Sequence, residues 1–190
     1  MATVPSITCP NLRVRDESGF RSFCVSRQRE RDRKFVDSPL RAQGDLAGAL
    51  AADKEAVRIM SELTAKAPAQ SLWQRDLAVS HGKVGLDLLA EGDASGAREE
   101  IEVGLPIMTG LAALDATNAD WQQDLGELRR ESGDAAKAAS DRTGASAEYE
   151  ACIEITEPIV SRGSTNKKLA ELAAYCRSQI TSVAPGPKPS

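Results

Sequence analysis

Aromatic side chains are scarce in this sequence: two Trp, two Tyr and three Phe among 190 residues, 4% in all. Runs of Val, Ile, Thr and aromatics of the kind that make strands are missing too, which argues against a sandwich or barrel. No apolar stretch approaches the ~20 residues that a membrane-spanning helix needs. The opening MATVPSITCPNLRVRDESGF has no apolar segment of the kind a secretory signal carries. There is one histidine, His81, and the four cysteines (Cys9, Cys24, Cys152 and Cys176) show no CxxC spacing, so no zinc site is indicated. A glycine-rich phosphate loop, a GxSxG elbow and an HExxH pair are all absent. The sequence therefore points to no enzyme and to no cofactor, and it makes a cytoplasmic chain with reduced thiols the default expectation.

What is present favours helices. Alanine is the leading apolar residue, with the best helix propensity and a side chain small enough for close helix approach. Charge is unevenly spread. Nine of the 24 Lys/Arg and five of the 28 Asp/Glu fall in residues 1–43, leaving fifteen and twenty-three for residues 44–190. The acidic body speaks against a nucleic-acid groove. The basic run RQRERDRK at 27–34 is interrupted by Glu30 and Asp32 and has no aromatic platform, and it reads as a solvated tail or helix.

The chain repeats itself. SLWQRDL at 71–77 returns as ADWQQDL at 119–125, and GDLAGA at 44–49 returns as GDASGA at 92–97. The shift from Trp73 to Trp121 equals the shift from Gly44 to Gly92, so one period governs both. A further step of the same length reaches Ser140-Asp141 and Gly144-Ala145 without a gap, and Ile59, Ile107 and Ile155 keep the same register. Within a unit the apolar spacing is helical: Leu72, Leu77, Val84, Leu88 and Leu89, then Ala97, Ile101, Leu105, Met108 and Leu111. Gly92-Asp93 between them suits a helix C-cap followed by an N-cap. Each unit is thus expected to be two antiparallel helices, and neighbouring units must stack to bury their apolar faces.

Val84, Gly85, Leu88, Gly92-Asp93, Ala97, Ile101 and Gly104, with Gly133, Ala145, Tyr149 and Cys152 in the next copy, make residues 44–183 resemble the tetratricopeptide repeat family. Its usual unit is about 34 residues, so the 48-residue period here implies longer helices, as in bacterial variants that open on WQRDL. The resemblance implies an all-α, short right-handed solenoid of antiparallel helix pairs, acting as a non-catalytic scaffold for a protein or peptide. The rival reading is a regulatory or sensor fragment of a larger bacterial signalling protein. In the family the first helix of each pair lines a concave face. Carried over, that face holds Val79, Gly82, Leu86 and Leu89, then Glu127, Arg130, Asp134 and Lys137, then Tyr175 and Ser178. The Lys/Asn set with which some relatives clamp a chaperone's C-terminal carboxylate is missing.

Outside the repeats the pattern lapses. Residues 1–23 read as a disordered leader, 24–43 as a degenerate first helix that Pro39 would break, and 184–190 as a disordered tail. The uncapped 24–43 edge leaves room for a homodimer. Trp73 and Trp121 read as buried anchors at helix starts. His81, whose repeat mates are Arg129 and Arg177, reads as part of a polar helix face, and Glu99, Glu100, Glu102, Glu148 and Glu150 as a solvated one. Cys152 and Cys176 fall at one height on a helix hairpin turning near residue 164. The expectation is a close contact of two reduced thiols acting as small apolar groups, with a disulfide as the alternative.

Overall fold

A computed structural model describes residues 39–163 and 165–183. The 1–23 leader, most of the 24–43 segment and the 184–190 tail lie outside the described residues, as does the run at 27–34. The described residues are all-α, with no strand among them: α1 (Pro39–Ala42), α2 (Leu46–Lys66), α3 (Ser71–Glu91), α4 (Ala94–Leu114), α5 (Ala119–Ala138), α6 (Arg142–Ser161) and α7 (Lys167–Val183). α1 opens at Pro39, the helix position where proline's missing N–H costs nothing.

Three turns recur at the repeat spacing because the same residues build them. Gly44, Gly92 and Ser140 adopt positive φ of 80°, 88° and 66° and end a helix in the left-handed conformation. Behind each, the next amide donates to a carbonyl five residues back: Asp45 to Leu40, Asp93 to Leu88 and Asp141 to Ala136, all at 2.8 Å. The same aspartates then cap the following helix, their Oδ1 accepting from Gly48, Gly96 and Gly144 at 2.9 Å. A carboxylate there satisfies an orphan amide and suits the positive end of the helix dipole.

Each helix packs on its neighbour in the chain, and α3 also meets α5, as α5 meets α7. Among the described residues the backbones of α2, α4 and α6 do not pack on one another, although Arg98 of α4 reaches Asp141, which caps α6, at 3.8 Å. The first helices of the units thus form one layer, with the second helices standing over it. Glycines set how closely the two layers approach. A Cβ on Gly85 would lie 2.7 Å from Ile101 Cγ1, and one on Gly133 would lie 2.6 Å from Tyr149 Cε1. These are one knob-and-notch contact, moved on by a single repeat.

Two apolar clusters result. The larger joins α3, α4 and α5 through Val84, Ile101, Leu105, Met108, Leu111 and Leu128. Ile101, Met108 and Leu111 are essentially fully buried, each contributing about 1.5–3 kcal/mol by burial. The smaller joins α5, α6 and α7 through Ala136, Ala145, Tyr149, Cys152, Leu172 and Cys176. Trp73 and Trp121, the third residues of α3 and α5, are half-buried rather than buried, because each lies at a helix end where the cover is incomplete.

Cys152 and Cys176 correct the expectation of reduced thiols. They are joined in a disulfide with Cα atoms 6.5 Å apart, inside the range a disulfide spans. The reason is the register already noted: α6 ends at Ser161 and α7 begins at Lys167, so the two thiols meet at one level of the hairpin.

Candidate protein-binding face

Charged side chains link the two layers at repeat spacing. His81 Nδ1 lies 2.7 Å from Glu100 Oε2, and Arg129 Nη1 donates to Glu148 Oε2 at 2.9 Å. The second pair is the first advanced by one repeat. Arg177 closes a similar pair with Glu157. His81 is buried rather than on an open polar face, and Glu100 and Glu148 are half-buried, so none of the three belongs to a freely solvated face. Gly104 of α4 packs close on His81, where an added Cβ would lie 3.3 Å from the histidine Cβ, and the carboxylates reach inward to their partners. Glu99, Glu102 and Glu150 are exposed, as expected.

The α3–α5–α7 layer carries a denser network. Arg130 donates from Nη1 to Asp134 Oδ2 at 2.7 Å and from Nη2 to Glu131 Oε1 at 3.0 Å. Its guanidinium carbon lies 5.8 Å from the centroid of the Tyr175 ring, within cation–π range. Asp134 Oδ1 accepts from both Tyr149 Oη at 2.7 Å and Tyr175 Oη at 2.9 Å. One carboxylate thereby gathers donors from α5, α6 and α7. Glu127 stands a turn earlier on α5 and accepts from Gln123 Nε2 at 3.0 Å. Gln123 in turn accepts from Asn166 Nδ2 at 2.8 Å.

Packing accounts for the electrostatics. Glu131 is buried over Gly82 of α3, where a Cβ would come within 2.6 Å of its Oε2. Burial pushes Glu131 up to about 7, against the pull of Arg130 and with the help of Glu127. Burial likewise raises Glu127 to about 7. Tyr175 is pushed up to about 12 by burial and by the Asp134 charge, and Tyr149 also moves up through burial and its bond to Asp134. For Arg130 burial works downward, but Glu131 and Asp134 outweigh it and hold the guanidinium above its ordinary value.

A second carboxyl pair lies where α1, α2 and α3 meet. Arg41 donates from Nε to Asp87 Oδ1 at 2.8 Å and sits 3.9 Å from Asp53 Oδ2. Asp87 is fully buried, and burial together with a hydrogen bond to Asp87 raises Asp53 to about 6.

Of the residues expected on the binding face, Arg130, Asp134 and Tyr175 meet directly, with Glu127 beside them. Lys137 is tied to α7, donating to Gln179 Oε1 at 2.7 Å and Ser182 Oγ at 3.2 Å. Val79 and Leu86 are half-buried on α3, one helix away, and Gly82 is covered. Glu131 and Tyr149 belong to the network although the sequence pattern does not single them out for it. Tyr149 carries a signal all the same: its repeat mate is Ile101, and a hydroxyl at a core position must find a partner.

The chain matches no protein-family model, no curated protein and no solved structure. Among the described residues no group of three or more His, Cys, Asp and Glu is placed to hold a metal ion. None of their helices is long and apolar enough to cross a membrane. The arrangement itself offers carboxyls poised near neutrality beside a guanidinium and a half-exposed phenol.

Proposed function

We propose that this chain is a tetratricopeptide-like scaffold: a short right-handed solenoid that holds a protein segment on its α3–α5–α7 face and performs no chemistry. The single observation that carries this reading is the convergence of Arg130, Asp134 and Tyr175, from two helices of one layer, on a surface that stays partly open. Tyr175 is 39% exposed while its hydroxyl is fixed, a combination suited to an aromatic contact surface. Lys137, Val79 and Leu86 extend the surface along α5 and onto α3. The half-buried carboxyls Glu127 and Asp134 favour a partner segment that carries Lys or Arg.

The layered packing supports the solenoid, because the backbones of successive first helices pack on one another while those of the second helices do not. On this reading the array curves toward the α3–α5–α7 side. The test is selection of short peptides on the full chain from a random display library, repeated on Arg130→Glu with Lys137→Glu. The expected result is enrichment of Lys- or Arg-bearing sequences on the native chain and about tenfold tighter binding of them to the double variant, which trades two like charges of the face for carboxylates. Equal binding to both would place the site elsewhere.

A further inference from the structure

We propose that the Cys152–Cys176 disulfide is a redox-set clasp that seats α7, and with it Tyr175, against Asp134. α3 and α5 each pack between neighbours on both sides, whereas α7, the last helix described, rests on α5 and α6 alone. A helix covered on one side buries less apolar surface and opens more readily. Within the repeats, cysteines occur only where that deficit falls. Their repeat mates are Gly104 with Leu128 and Ala56 with Ser80, none of which can cross-link.

The clasp sits at the level of the tyrosine network. Tyr175 is the residue before Cys176, and Tyr149 lies three residues before Cys152. Their hydroxyls meet on one oxygen of Asp134, 2.9 and 2.7 Å away. Joining the sulfurs fixes the spacing of α6 and α7 at the point where both phenols must reach that oxygen. Without the bond, lifting of α7 releases Tyr175 from Asp134 and from the Arg130 guanidinium, and frees Gln179 from Lys137.

The chemistry is thiol–disulfide exchange. The two thiols pass two electrons and two protons to a low-molecular-weight or enzyme disulfide, which leaves as two thiols, and the S–S bond forms within the chain. Both sulfurs are fully buried, so exchange in the folded chain waits on the opening of α7. Once formed, the bond is long-lived. It suits a compartment that oxidises thiols rather than the reducing cytoplasm that the sequence suggests by default.

Peptide mapping of the full chain purified without reductant should recover Cys152 linked to Cys176. Hydrogen exchange is then followed in the oxidised chain, the reduced chain and the Cys152→Ala with Cys176→Ser variant, whose side chains match Ala56 and Ser80. Amides of 167–183 are expected to exchange on the order of a hundredfold faster in the latter two, the loss that removal of a cross-link over a loop of this size brings. Those of 94–114 should not change. Free Cys152 and Cys176 in the purified chain, or equal protection of 167–183 in all three samples, would overturn the proposal. So would a loss spread evenly over every helix.

Discussion

The α3–α4 and α5–α6 pairs share one repeat template, yet different forces hold them. In the first, Gly85 receives Ile101, and Met108 and Leu111 complete an aliphatic core. In the second, Gly133 receives Tyr149, whose hydroxyl is bound to Asp134, and Cys152 is bonded to α7. The turns between the paired helices match, with hydrogen bonds of equal length at Asp93 and Asp141. A repeat therefore specifies where side chains meet, and leaves each copy free to choose burial or directional bonds. The copy that relies more on directional bonds is the one with a network reaching the surface.

The contrast can be broken at its strongest point by truncation. Ile101→Ala removes a fully buried side chain in a packed seam and is expected to cost about 3 kcal/mol in urea unfolding. Tyr149→Phe, the milder change at the matching position, keeps the ring and loses one hydrogen bond, for about 1 kcal/mol. If the two prove equal, the two seams are not held by different means.

Acidity separates the pairs next. Glu131 binds its proton up to about pH 7 in the folded chain against an ordinary value of 4.5. The folded state thus carries more protons than the unfolded one between those limits, and stability falls as pH rises through them. Glu131→Gln should reduce that slope, leaving the shares of Glu127 and Asp53, and add roughly 1–3 kcal/mol at pH 8, with almost no effect at pH 4. Unfolding midpoints across this range check it, and a native chain that gains stability from pH 5 to 8 while the variant does not would refute it.

The smallest effect concerns the turns. Ser140 holds φ 66° where Gly92 holds 88°. Ser140→Gly is expected to stabilise by about 0.5–1 kcal/mol and Gly92→Ser to destabilise by a similar amount. Thermal melts of the two reciprocal variants should move in opposite directions.

The same contrast separates what the chain alone makes legible from what it hides. Periodicity locates the turns at Gly44, Gly92 and Ser140, because Gly-Asp signals and apolar spacing act locally and recur. The His81–Glu100 and Arg129–Glu148 pairs are legible in principle, since both partners recur one repeat later, but helix-face polarity reads equally well as solvation. Glu131 is not legible. Its burial depends on Gly82 of the preceding unit, a contact that spans a whole repeat of the chain. The meeting of Tyr149 and Tyr175 on Asp134 occurs once, so no repeat announces it. For the cysteines, the common height on the hairpin can be counted out, but earlier copies with small side chains there argue for plain packing. A bond that exists in one copy cannot be inferred from the others.

A binding surface on the layer of first helices should show in the footprint of one selected peptide. Hydrogen exchange of the full chain with and without that peptide should slow on α5 around 127–137 and on α7 around Tyr175, with weaker slowing on α3 between Val79 and Leu86. α4 should be unaffected. Slowing confined to α2, α4 or α6 would contradict the account.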